Sequence, residues 1–204
     1  GFFKPRTHEI VPTETCLIQT EEADALLNAL TASLLELGIS LYDERRHEGL
    51  LRHVIVRKGI QTGEVMVVLV TNGTSLPNKE LLIDIICQTV PNVTSIVQNM
   101  NTKKTNVIFG PQSKTLYGQS FIVDKIGNIA FEISDRSFYQ VNSEQMEVLY
   151  DVALQYADLT GQETVIDAYC GIGTISLFLA KRAKHVYGVE IVEQAIDDAK
   201  RNAA

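Results

Sequence analysis

The sequence predicts an α+β domain followed by the opening of a Rossmann-like α/β domain, and three observations predict it. From Glu21 to Ile133 the apolar periodicities run helix, hairpin, helix and then several short strands. From Val165 to Glu190 they run strand, Gly-x-Gly turn, helix, strand and a terminal acid. That acid stands about twenty residues past the first glycine, which is the layout of a nucleotide-type cofactor site.

The elements follow in order. Glu21 to Leu37 reads as an amphipathic helix, with Leu26, Leu27, Leu30, Leu34 and Leu37 on one face. Thr20 can cap its start and Gly38 its end. Leu51 to Arg57 and Glu64 to Val70 are strand-like and joined by a Gly-containing loop, so they read as an antiparallel hairpin. Lys79 to Val90 reads as a helix stopped by Pro91. Val93 to Gln98, Asn106 to Phe109, Phe121 to Asp124 and Asn128 to Ile133 are expected strands, with turns at Gly110-Pro111 and Ile126-Gly127. Ser143 to Ala157 is then a helix, and Leu159-Thr160-Gly161 turns into the motif strand, where the parallel βαβ part is expected to begin. The expected boundary divides a central domain, residues 1–133, from a cofactor domain, residues 134–204.

Composition narrows the classes. With 204 residues, 45% hydrophobic and 21% charged, the chain is ordinary for a soluble globular protein. No apolar run approaches a membrane span, and Gly1 to Arg6 is no signal peptide. Cys16, Cys87 and Cys170 are scattered and odd in number, which fits a reducing cytoplasm rather than a disulfide framework. The net charge of -7 argues against nonspecific nucleic-acid binding by the chain as a whole. A local basic cluster, Arg45, Arg46, His47, Arg52, His53, Arg57 and Lys58, reads either as a solvated loop and hairpin or as a phosphate-contacting face. The chain starts without methionine and stops at Ala204 inside a predicted helix, so it reads as a piece of a longer protein.

The cofactor turn has a telling variant. A dinucleotide site wants Gly-x-Gly-x-x-Gly, and here Ser176 stands at the third glycine. The form Asp167-x-x-x-Gly171-x-Gly173 is instead the first motif of methyltransferases that use S-adenosylmethionine (SAM). A nicotinamide-dependent oxidoreductase is the rival that Ser176 disfavours.

The resemblance becomes specific at Ser137-Phe138-Tyr139-Gln140-Val141-Asn142, preceded by Phe131-Glu132-Ile133-Ser134. With the motif turn, with Leu51-Arg52-His53-Val54, with Thr62 to Val70, and with Gln98-Asn99-Met100-Asn101 leading to Asn106 to Gly110, it resembles the RNA uracil-C5 methyltransferases. The likeness covers nearly the whole chain and is greatest to the bacterial 23S ribosomal RNA members. It implies an oligonucleotide-binding barrel before Gly1, a central RNA-facing domain, and a SAM domain that continues past Ala204. It implies ribosomal RNA as partner and SAM as cofactor, with Gln140, Asp167, Tyr169, Gly171, Gly173, Thr174 and Glu190 at the SAM site.

Each role has a competitor. Gln140 contacts the methionine part of SAM, or caps the helix starting near Ser143. Tyr169 faces the ligand, or packs in the core. Asp167 contacts the ligand, or orients the turn by accepting backbone N–H groups. Glu190 accepts the ribose hydroxyls. Asp135, where relatives usually carry proline, should loosen the turn before Ser137.

Methylating carbon 5 of uracil needs a thiolate to add at carbon 6, after which carbon 5 takes the methyl group, a base removes the carbon-5 proton and the thiol leaves. Cys170 lies inside the SAM turn, so it reads as a packing residue, and Cys87 as core. The resemblance places nucleophile and base beyond Ala204, which makes residues 1–204 alone inactive. Some relatives hold a 4Fe-4S cluster whose fourth thiolate comes from about the position of Cys16, and an ordinary thiol is the equal alternative. His47 and His53 are candidate RNA-face residues, and His8 and His185 read as surface or structural. The rival functions are a SAM methyltransferase acting on another substrate and a noncatalytic RNA-binding module.

Overall fold

A computed structural model describes residues 1–7 and 9–204, with the Phe3 side chain left out. His8, read above as surface or structural, lies outside the described residues. The chain forms two compact units, Gly1–Lys58 with Val65–Gln119, and Gly59–Glu64 with Ser120–Ala204. This division falls at Gln119, whereas the sequence boundary was placed at Ile133; the hairpin between them groups with the C-terminal elements.

The first unit opens with a two-residue pair, β1 (Phe2–Phe3) and β2 (Ile10–Val11). Helix α1 spans Glu21–Ser33, and the Thr20 hydroxyl accepts the Ala23 N–H at its start. Its end winds on to Gly38, which takes φ +66 while Ile39 N–H reaches Leu34 O and Gly38 N–H reaches Leu35 O. Those two bonds make a Schellman stop, which needs the left-handed residue that glycine supplies. The sheet has the order β3 (Leu51–Lys58), β4 (Val65–Thr71), β5 (Val93–Met100), β6 (Gln112–Gly118), and α2 is Lys79–Thr89. Leu26, Leu30, Leu34 and Leu37 meet Leu82 and Ile86 of α2 and Val65, Val67, Leu69 and Ile96 of the sheet in one core.

Two expectations change here. β3 and β4 are the expected antiparallel hairpin, but β4 and β5 run parallel, so a βαβ crossover through α2 already occurs in this unit. Every residue of β4 is buried, and the uninterrupted run Val65 to Val70 is the pattern of a strand covered on both faces. Asn106 to Phe109 is not a strand. The Asn101 amide donates to Val107 O (2.7 Å) and Ile108 O (3.0 Å), and the Arg52 guanidinium donates to Asn101 O, Lys103 O and Thr105 O. Side chains therefore take the carbonyls a ladder would use. The strand that pairs with β5 is instead β6, an exposed edge with almost no apolar alternation.

The second unit begins with the antiparallel hairpin β7 (Phe121–Ile126) and β8 (Ile129–Ser134). Helix α3 spans Ser143–Ala157 and is capped by Asn142, whose side chain accepts the Gln145 N–H at 3.1 Å. β9 (Thr164–Asp167), α4 (Thr174–Ala180) and β10 (His185–Gly188) form the parallel βαβ unit, and α5 spans Glu193–Asn202. Phe131, Ile122, Ile126, Ile133, Met146, Leu154, Ile172 and Phe178 are among its buried apolar residues, with Tyr150 stacked edge-on against Phe178. Among the described residues no helix is long and apolar enough to cross a membrane.

Candidate functional site

The site grows from the bend between β9 and α4. Gly171 takes φ +53 and Gly173 φ +85, a conformation that costs a residue with a Cβ. The two residues let the backbone fold back on itself, with Gly173 N–H on Cys170 O at 2.8 Å and Cys170 N–H on Val189 O at 3.1 Å. The bend is thereby tied to the end of β10.

Glu190 stands at that end. Its Oε2 accepts the Gly171 N–H at 3.2 Å, and its Oε1 accepts the Ile191 and Val192 N–H groups at 2.7 and 3.0 Å. The carboxylate is therefore fixed at the mouth of the glycine bend. The Val192 N–H does most to hold it below the usual glutamate range, burial opposes, and the Ile191 and Gly171 N–H groups reinforce the lowering. It stays ionised at neutral pH, as an acceptor of two sugar hydroxyls must.

Asp167 orients the turn through a side chain rather than through backbone N–H groups. Its Oδ2 accepts the Ser176 hydroxyl at 2.6 Å, so a side chain, not a backbone N–H, holds it. The residue that breaks the dinucleotide pattern is thus the partner of the motif aspartate. The close strand–helix approach that a third glycine gives a dinucleotide fold comes here from the strand: a Cβ on Gly188 would lie 2.9 Å from Cys170 Sγ and 3.6 Å from Ser176 Oγ.

Tyr169 is 90% exposed at the tip of the bend, so it does not pack in the core. The Thr174 hydroxyl pairs with Tyr150 OH at 2.9 Å and faces α3. Cys170 is buried, and burial first, then the Asp167 and Glu190 charges, push its thiol up. A raised thiol gives little thiolate at neutral pH, which suits packing rather than attack. Cys87 is partly buried against the first unit's core, and burial raises its thiol too.

Gln140 is half-buried at the end of the coil joining β8 to α3, and the cap of α3 is Asn142. The turn in which Asp135 sits is braced rather than loose. Ser134 N–H donates to Ser137 Oγ at 3.0 Å, and both serine hydroxyls donate to Asp198 Oδ2, at 2.9 and 2.7 Å. Asp198 and Gly188 are residues the sequence reading passed over, and Ser134 and Ser137 entered it only as parts of the family string, with no role of their own. The Ser134-x-x-Ser137 spacing was the visible signal, since serine hydroxyls brace turns of that length.

The basic cluster divides. Arg52 spends its guanidinium on three loop carbonyls and lies 4.3 Å over the Tyr42 ring, and Lys58 pairs with Glu22 at 2.6 Å. His47 is held by the Tyr42 hydroxyl and lies 3.2 Å from Thr102 O. His53 is half-buried and its pKa is lowered by burial and then by Arg52, so it is neutral at pH 7. Arg45, Arg46, Lys103 and Lys104 remain exposed to solvent. His185 is exposed at the start of β10.

Cys16 is partly buried and its N–H donates to Asp24 at 2.9 Å. Among the described residues no group of three or more His, Cys, Asp or Glu is arranged to hold a metal ion. A four-iron cluster needs four thiolates, so these residues offer it one ligand at most and do not by themselves fit it.

A family model described as tRNA (Uracil-5-)-methyltransferase matches residues 93–204. An uncharacterized RNA methyltransferase of Halalkalibacterium halodurans is 60% identical over 203 residues, 100% of this chain and 44% of that protein. Another, from Staphylococcus aureus strain MSSA476, is 50% identical over 203 residues, 100% of this chain and 45% of that protein. The chain thus spans less than half the length of these curated relatives. The crystal structure of Pyrococcus abyssi tRNA (uracil-54, C5)-methyltransferase in complex with S-adenosyl-L-homocysteine superposes with a TM-score of 0.81 at 29% identity, over 98% of this chain and 48% of that one.

Proposed function

The chain belongs to the tRNA (uracil-5-)-methyltransferase family, and from that premise we propose that the whole protein methylates carbon 5 of a uridine in ribosomal RNA with SAM as donor. The observation that carries the donor site is the Glu190 carboxylate held by Gly171 N–H at the mouth of the Asp167-x-x-x-Gly171-x-Gly173 bend. SAM supplies an electrophilic methyl group when bound. Glu190 takes the ribose hydroxyls, Gly171 and Gly173 let the backbone approach the ligand, and exposed Tyr169 offers a ring at the edge of the bend. Asp167 works through Ser176, setting the first turn of α4 against β9. Gln140 is assigned to the amino-acid end of the donor on the strength of the Ser137–Asn142 string.

Residues 1–133 are assigned to the RNA, with exposed Arg45, Lys103 and Lys104, and Arg46 beside Asp43, as the cations facing solvent that can meet phosphate. The three thiols here are poor nucleophiles or lie outside the donor bend, so the attacking cysteine and the general base belong to other parts of the whole protein. Residues 1–204 alone are inactive on this reading. The whole protein works in the cytoplasm, where its substrate is. Cys16 is kept as one candidate ligand of a cluster completed from elsewhere.

Tritiated SAM with the full-length protein and 23S ribosomal RNA tests the reading. Label at carbon 5 of uracil is expected. Label in transfer RNA instead, the substrate named for the family and for the P. abyssi protein, moves the substrate and keeps the chemistry. Label on cytosine, on a ribose or on a protein side chain overturns it. Cys170→Ala is a further check: methyl transfer is expected within a few-fold of wild type, whereas loss of a true nucleophile costs about 10⁴-fold or more.

A further inference from the structure

We propose that Asp198 and Asp124 are positioning residues for the methyl donor, two buried carboxylates that clamp the coil leading into Gln140. This rests on the donor site proposed above. The coil, residues 135–142, has neither helix nor strand to hold it. Asp198 and Asp124 are both 0% exposed.

At the start of the coil, Asp198 Oδ2 accepts the hydroxyls of Ser134 and Ser137. Its Oδ1 accepts the Gln194 amide at 3.1 Å and the Arg201 guanidinium. Arg201 also reaches Glu132 of β8 at 2.9 Å, so the carboxylate's charge is compensated and fixed in direction. Asp198 lies on α5, which begins three residues after Glu190. One short stretch of chain thus carries both the sugar ligand and the anchor of the coil.

Immediately before Gln140, Tyr139 OH donates to Asp124 Oδ2 at 3.2 Å, and Asp124 Oδ1 accepts the Gln61 N–H at 2.9 Å. Burial and then the Asp124 charge raise the Tyr139 pKa, so the phenol stays a donor. The Tyr139 ring leans on buried Phe131. Gln140 is the next residue, and Asn142, two further on, is fixed as the cap of α3. Gln140 thus sits between Tyr139, bonded to Asp124, and the capped start of α3, with Phe138 and Val141, 75% and 96% exposed, on either side of Tyr139 and Gln140.

Burying two carboxylates is a poor way to stabilise a fold, because well-packed apolar residues do as well or better. It is a good way to fix one geometry, since each bond has a direction. Each carboxylate gives one oxygen to the coil or its entry and fixes the other on a neighbouring element.

The test uses the full-length protein with Tyr139→Phe, Ser137→Ala and Asp198→Asn. Tyr139→Phe keeps the ring and removes one hydroxyl, so it and Ser137→Ala carry the test if Asp198→Asn folds poorly. The expected result is a rise of about tenfold in KM for SAM, the scale at which small misplacements of a binding group act. The KM for RNA, kcat and the melting temperature are expected to stay close to wild type, and Ser137→Thr restores the KM for SAM. An unchanged KM for SAM in Tyr139→Phe and Ser137→Ala overturns the clamp. So does a rise of both KM values in step with a falling melting temperature, which marks a merely structural network. Wild-type protein that gives no heat with S-adenosylhomocysteine overturns the donor site itself, an outcome distinct from both.

Discussion

Glu190→Gln in the full-length protein is expected to weaken SAM and S-adenosylhomocysteine binding by about 100-fold, the scale of losing charge-assisted bonds to two hydroxyls. Glutamine keeps the length and one acceptor oxygen, so the Gly171 or the Ile191 bond can survive. What it lacks is the charge, and it replaces one acceptor by a donor. Sugar hydroxyls then meet an NH₂ group where they met an oxygen. Glu190→Ala removes the brace of the bend as well and is expected to lower the melting temperature, which the glutamine variant should leave nearly unchanged. The pH dependence follows from the lowered pKa. A carboxyl whose folded pKa is depressed contributes above its unfolded value and is lost as pH falls through the folded one. Donor affinity is therefore expected to be flat from pH 7 down to the ordinary glutamate value of 4.5 and to fall only below it. Titration calorimetry with S-adenosylhomocysteine at several pH values measures both effects. Affinity within twofold of wild type for Glu190→Gln would remove the ribose role.

The parts of this chain legible in the sequence are those whose signal is local. Helix α3 was read from Ser143 to Ala157 end to end, because Met146, Tyr150 and Leu154 repeat at helical spacing. The glycine bend and Glu190 were legible for the same reason, since only 19 positions separate the bend's first glycine, Gly171, from the acid that holds it. β6 was not, because an exposed edge strand that buries little beyond Leu116 shows no clear alternation. The parallel pairing of β4 with β5 was signalled by the unbroken Val65 to Val70 run but masked by the hairpin-like loop before it. Gln98, Asn99 and Asn101 looked like part of a family signature, and their amides hold loops: Gln98 on Thr71, Asn99 on Gly110 and Ser113, Asn101 on Val107 and Ile108. The Asp198 hub was the least legible. It joins residues 61 and 64 positions apart, and a buried aspartate in a helix rich in acids and bases reads as one more solvated residue.

Gly188→Ala is expected to cost about 1–3 kcal/mol of stability, the usual scale for forcing one methyl group into a packed site. It is also expected to weaken donor binding, because the strain lands on the bend. The added Cβ would meet Cys170 Sγ at 2.9 Å and Cys170 Cβ at 3.2 Å, and neither atom is the end of a long flexible side chain. Cys170 is held on both sides, its N–H by Val189 O and its carbonyl by Gly173 N–H. Relief must then come from β10 moving away from α4, which shifts Val189 and with it Glu190. The partner substitution isolates the cause. Cys170→Ala removes the sulfur and leaves only the 3.2 Å contact. In that background Gly188→Ala should cost about 1 kcal/mol less than in the wild type, a coupling of the size seen between touching residues. Urea melts of the four proteins of the cycle give the coupling, and S-adenosylhomocysteine titration shows whether affinity recovers with it. Additive costs would mean that Gly188 is needed for its backbone alone, and that the Cys170 side chain does not set the distance between strand and helix at the donor bend.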